Sequence, residues 1–295
     1  MDDLRTKLSG SKYVQSRIGD SYTQAKAFLQ QGRRVLFSGT PCQIAGLRNY
    51  LRKDYPNLIT VDIICHGVPS PMLFEDYKAY MSQQMGGPLA EVKFRCKKSS
   101  WIFFNMRLTA HVEKNQPKEY IGCYYEDPYM MGFLRDNFLR PCCYNCQYTS
   151  TSRVSDFTIA DWWGYRKQSK EDKGFRYKGV SLLFAHTSKA EHLLTSIKMH
   201  LRERTLEEAM KTNRCLSRSY PLPKEREIFW QDYHKLPFPE MVHKYMHPER
   251  VGLDKYLLQH YLNTDNFVRM TSLLTLPRRA LRKAVKVAKI IINYK

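Results

Sequence analysis

Three thiols fall within five positions of the stretch PCCYNC, at Cys142, Cys143 and Cys146. Cys143 and Cys146 form a C-x-x-C step, a spacing that lets two sulfurs face one metal centre while nearby backbone amides stay free to donate to them. Two ligands make half a site. The chain holds eight cysteines, and two more stand where chemistry is expected. Cys42, in SGTPCQ, follows an apolar run and falls in the first turn of an expected helix, where free amides and the positive end of the dipole favour a thiolate. Cys65, in DIICHG, closes the next apolar run. Without an export signal these thiols are expected to be reduced, so clustered ones read as metal ligands or redox groups rather than as disulfides.

The elements that must bring them together can be read from the pattern. DSYTQAKAFLQQG is helical, with Asp20 or Ser21 as N-cap and Gly32 placed to end it. RRVLFSG (33–39) reads as a buried strand, TPCQIAGLRNYLRK as a helix with Thr40 as N-cap and Pro41 at its first position, and NLITVDIIC (57–65) as a second strand. The result is a strand-helix-strand unit with a parallel pair. The carboxyl ends of such strands share one sheet edge, so Cys42 and Cys65 are expected near each other.

Further along, a helix begins at SPMLFEDYKAYMSQQM and stops at Gly86-Gly87, and 89–96 with 101–111 alternate like an antiparallel pair. DPYMMGFLRDNFLR reads as a helix running into the cysteines. Strands follow at 154–160 and 179–186, then a helix from Ser188 to Arg202 and short helices after Leu206. The fold class is therefore α/β: a mixed sheet with a strand-helix-strand core, plus a helical C-terminal region. The expected units are an α/β core over 1–205, a helical region over 206–277 and a basic amphipathic tail over 278–295.

At 295 residues, 43% of them apolar, the chain can bury a sizeable core. No apolar run approaches the length of a membrane span and the first residues lack the apolar core of a signal peptide, which makes the cytoplasm the expected location. The net charge is +20, and the tail RRALRKAVKVAKIIINYK supplies seven of those charges, leaving +13 elsewhere. That balance favours an anionic partner. Nucleic acid is not expected, because no nucleic-acid motif appears and the aromatics sit in apolar periodic segments. On a helical wheel the tail places Leu281, Ala284, Val285, Ala288 and Ile292 opposite its cations, as in a helix lying on an anionic membrane surface or docking on its own protein.

Spacing leaves two readings of the cysteines open. Cys42, Cys65, Cys143 and Cys146 form a four-thiolate site with Cys142 spare, or the first two are buried core residues. Structural zinc modules usually pair two C-x-x-C knuckles, whereas here two ligands come singly from a sheet edge, which suits an iron-sulfur cluster beside a cofactor crevice. A zinc-stabilised binding module without redox activity is the competing class, and a thiol enzyme with Cys42 as nucleophile is another.

The stretches VLFSGTPCQIAGLRNYL, LITVDIICHGVPSP, LRPCCYNCQYTSTSRVSDFTIADWWG and KGVSLLFAHTSKA resemble successive motifs of the coenzyme F420 hydrogenase/dehydrogenase beta-subunit family, over about residues 8–240. The resemblance implies an iron-sulfur flavoprotein passing electrons between a two-electron carrier, such as flavin, F420 or a nicotinamide, and a 4Fe-4S cluster. Carried over by position, the cluster ligands are Cys42, Cys65, Cys143 and Cys146, the four that spacing picks, with an FAD nearby. Cys96 carries no family motif. Many relatives begin with a ferredoxin-like module and a Ser- and Gly-rich flavin segment, and this chain starts beyond both. Either a redox partner, such as a ferredoxin-like chain, supplies those parts or this chain has lost them, and a non-catalytic electron-transfer subunit is the alternative to an oxidoreductase.

Candidate cofactor contacts are fewer. Gly39 and Thr40, at a strand-to-helix turn, could turn amides toward a phosphate or simply make the turn. His66 could donate to a sulfur or a flavin edge, or hold a structural hydrogen bond. Asp161 could meet a cofactor hydroxyl or cap the turn before Trp162 and Trp163, a pair read as packing.

Overall fold

The computed structural model describes residues 10–96, 101, 104–112, 117–163, 165 and 179–247. The tail 278–295, and the membrane contact expected of it, lie outside the described residues. Helix α1 (Ser21–Gln30) ends near Gly32 and leads into β1 (Val35–Ser38). Thr40 caps α2 (Pro41–Leu51), and the Gln43 side chain reaches back to the Thr40 amide at 2.9 Å, one arm of a capping box. β2 (Leu58–Ile63) and α3 (Pro71–Met85) follow, the helix stopped by Gly86 at φ 80°. Next come β3 (Leu89–Cys96), β4 (Asn105–His111), β5 (Pro117–Cys123) and α4 (Pro128–Leu134). After the cysteine loop lie β6 (Phe157–Asp161), β7 (Ser181–Ala185), α5 (Ser188–Ser196), α6 (Leu206–Met210), α7 (Arg226–Tyr233) and α8 (Phe238–Tyr245).

The strands form two sheets. The first has the order β1-β2-β6-β7, with β1, β2 and β6 parallel and β7 antiparallel, which is the mixed sheet expected. The carboxyl ends of β1, β2 and β6 therefore share one edge. The second sheet is the antiparallel meander β3-β4-β5. Leu73 and Tyr77 of α3, Met106 of β4 and Tyr129 of α4 form its core, together with Phe229 and Met241 of the C-terminal helices. Among the described residues no helix is long and apolar enough to cross a membrane.

Four elements differ from the pattern reading. β1, read as buried, is an edge strand with Leu36 and Ser38 exposed. β5 has no strand pattern of its own, because its first residues, PKEY, are mostly polar, and it forms by pairing along its length with β4. α4 stops at Leu134, since Asp136 takes a left-handed φ of 62° and turns the chain toward the cysteines. α5 stops at Ser196, where the β-branched Ile197 takes an extended backbone at φ −103° and ψ 126°.

Candidate metal centre

Cys42 is the second residue of α2 and is exposed. Its Sγ lies 3.1 Å from Thr40 Oγ1 and 4.0 Å from Gln15 Nε2. Cys65 lies two residues beyond β2, with the Gly67 amide near enough to its sulfur to oppose the rise of that thiol. A Cβ on Gly67, whose φ is 155°, would stand 2.6 Å from Leu139 Cδ1, so only glycine lets the chain press this closely on the cysteine loop. Past it, the two segments run antiparallel. Arg140 N–H donates to Val68 O at 2.8 Å, Ser70 N–H donates to Phe138 O at 2.9 Å, and Pro69 bridges Leu139. Val68 N–H then donates to Cys143 Sγ at 3.4 Å. The C-x-x-C loop is thereby stitched to the strand end that carries Cys65.

The thiols feel one another. Burial pushes the Cys65 thiol up to about 12, with Cys143 and Cys42 near enough to raise it further and the Gly67 amide opposing. Burial likewise pushes Cys143 up to about 11, opposed by the Val68 amide and reinforced by Cys142 and Cys146. Cys65 therefore stands within electrostatic reach of Cys42 and Cys143, and Cys143 within reach of Cys146. The sulfurs do not close on a single ion: among the described residues no group of three or more His, Cys, Asp or Glu side chains is placed to hold one.

Pattern reading missed Cys215, which stands alone in the sequence with no spacing signal. It lies on a short 3-10 turn, Arg214–Leu216, and is buried. Burial pushes its thiol up to about 11, and Asp136 and Cys146 are close enough to add to that. The chain following it lies over the cysteine loop. Ser219 Oγ donates to Tyr144 O at 2.6 Å, and Arg226 donates to Tyr144 Oη at 3.1 Å and to Leu139 O at 3.2 Å.

The other candidates are held by protein partners. Gly39 N–H donates to Val61 O at 3.1 Å and Thr40 N–H to Gln43 Oε1, so neither amide is free for a phosphate. His66 Nε2 is hydrogen-bonded to Asp136 Oδ1 at 2.5 Å, and the ring stacks on Tyr220 at 4.0 Å. Asp161 pairs with Arg95 of β3 and so ties the two sheets together. Trp163 packs on Trp101 and on the Arg95 guanidinium, while Trp162 is buried beside Leu182.

An open cleft of about 530 Å³ adjoins Cys42 between the first turns of α2 and α3. Gln15, Arg17, Tyr22, Glu75 and Arg140 line it with Cys42. Two helix N-termini and two exposed arginines give it a mainly positive rim, which suits an anionic ligand.

Residues 32–209 match the family that comprises the carboxyl-terminal region of the coenzyme F420 hydrogenase/dehydrogenase beta subunit. The match covers more than half of the chain, and the chain belongs to that family. No curated protein matches it.

Proposed function

We propose that this member of the coenzyme F420 hydrogenase/dehydrogenase beta-subunit family relays electrons between a two-electron carrier and a 4Fe-4S cluster held by Cys42, Cys65, Cys143 and Cys146. The observation that carries this reading is the Val68–Cys143 contact, which brings the sheet-edge thiol and the C-x-x-C loop to one place. When bound, the cluster would take up or release single electrons and a flavin or similar carrier would exchange them in pairs. An all-thiol donor set with amide N–H groups on two sulfurs fits such a cluster, whose ligands are spaced more widely than those of a single zinc ion.

The chain's own contribution is placement. The Gly67 and Val68 amides face the sulfurs of Cys65 and Cys143, where they would support those ligands once the cluster is bound, and the chain from Cys215 to Arg226 shields the loop. The carrier docks in the cleft beside Cys42, where Arg17 and Arg140 meet its anionic groups. The Gly39–Thr40 turn does not fit as a phosphate cradle, so the expectation of FAD rests on this cleft. A ferredoxin-like chain is the natural redox partner, and the basic tail 278–295 is the segment that would touch an anionic membrane. Deleting it should abolish flotation with anionic liposomes.

The test is to add reduced F420, NADPH or reduced flavin to the anaerobic protein. At least one should bleach the cluster absorption, and Arg140→Glu should weaken that carrier's apparent binding several-fold with the iron content unchanged. Bleaching by none of them would favour the non-catalytic electron-transfer subunit.

A further inference from the structure

The face of β2 opposite the solvent buries a guanidinium that the electron-transfer reading leaves unused. The Arg153 side chain is 2% exposed and that of Asp62 is 0% exposed. Their closest approach, Nη1 to Oδ2, is 3.8 Å, an ion-pair distance but too long for a hydrogen bond. Nη1 donates instead to Tyr148 O at 3.1 Å, the carbonyl two residues past Cys146. Nε and Nη2 are buried with no hydrogen-bond partner.

A buried cation with idle donors persists only where another group offsets its charge. Asp62 does so at ion-pair distance without a hydrogen bond to it, since its Oδ1 accepts from Thr158 Oγ1 at 2.5 Å and its Oδ2 has no hydrogen bond. Arg153 also lies near enough to Cys215 to oppose the rise of that thiol, and Cys215 in turn is near enough to Cys65 to raise it. The guanidinium is thus tied to the cysteine loop through Tyr148 O, with two buried N–H groups that Asp62 does not engage.

We propose that Arg153 is the counter-cation of the thiolate-held centre, a positioning residue under the C-x-x-C loop that favours the centre's reduced state. This rests on the reading of the four cysteines as cluster ligands. Four thiolates leave a 4Fe-4S centre net negative, and each added electron makes it more so. A fixed buried cation stabilises the more negative state and raises the potential. The bond to Tyr148 O holds the cation at constant distance from the loop.

The test is a spectroelectrochemical titration of the full chain, reconstituted anaerobically with iron and sulfide. Arg153→Gln should lower the midpoint so that the reduction equilibrium shifts at least tenfold, which is about 59 mV for a one-electron couple. Arg153→Lys should recover most of that. Arg153→Gln leaves Asp62 without its cation, so the same comparison is made between Asp62→Asn and the double variant Asp62→Asn/Arg153→Gln. The double variant should sit at the lower potential. Equal midpoints in both comparisons would overturn the inference while leaving the cluster reading intact, whereas a wild-type chain that binds no cluster would remove both.

Discussion

The amide of Val68 donates to the sulfur of Cys143 at 3.4 Å, although 75 residues separate them in sequence. The contact couples the carboxyl edge of the parallel sheet to the cysteine loop. Cys65 stands three residues before Val68, so the proposed centre would be built jointly by the C-x-x-C pair and that edge. Gly67 is what permits the approach, since any side chain there would collide with Leu139.

Thiol reactivity should follow this burial. In metal-free protein at pH 8, a small alkylating agent should label the exposed Cys42 and Cys142 first. Cys65, Cys143 and Cys215, pushed by burial to about 12, about 11 and about 11, should stay protonated and react last. Mass spectrometry of timed samples reads the order. Early labelling of Cys65 would contradict the packing described for the strand end.

Asp161 should prove structural. Its partner Arg95 is 3% exposed, while Asp161 itself is 26% exposed. Removing one member of a buried pair costs roughly 3–5 kcal/mol, and the partial exposure of Asp161 reduces that to about 2–3 kcal/mol for Asp161→Asn. Urea unfolding measures it. A variant as stable as the wild type but depleted of flavin would return Asp161 to the cofactor.

Asp127 gives the stability a pH dependence. It caps α4 by accepting from Met130 N–H at 3.0 Å, and Tyr77 Oη donates to it at 2.6 Å. Burial pushes its carboxyl up to about 6 from the ordinary value of 3.8. A raised carboxyl binds its proton more tightly in the folded state. Its stabilising contribution is therefore full below about pH 4 and lost as pH rises through about 6, by on the order of 2–3 kcal/mol. Asp127→Asn keeps an acceptor at the cap and should flatten this slope between pH 4 and 6, read by chemical denaturation at each pH. An unchanged slope would mean that another group sets it.

Much of the scaffold was legible in local signals. Thr40-Pro41 and Ser70-Pro71 announced two helix starts, and the apolar runs around them announced the parallel strands. From these the shared edge followed, and with it the neighbourhood of Cys42 and Cys65. What stayed hidden depends on long-range packing. The partner of His66 is Asp136, seventy residues on, and it is reached only because α4 ends early in a left-handed turn. Arg95 and Asp161 meet across two sheets, and neither residue announces the other. Cys215 and Arg153 carry no motif spacing, and their burial against the cysteine loop is set by the segments that fold over it.

The most direct measurement is iron, acid-labile sulfide and zinc per chain on protein purified without oxygen, for the wild type and for Cys65→Ser and Cys143→Ser. About four irons and four sulfides per wild-type chain, lost together in both variants, are predicted for one cubane cluster bridging the strand edge and the loop. Zinc in place of iron, no metal at all, or an iron content unchanged by either substitution would contradict it.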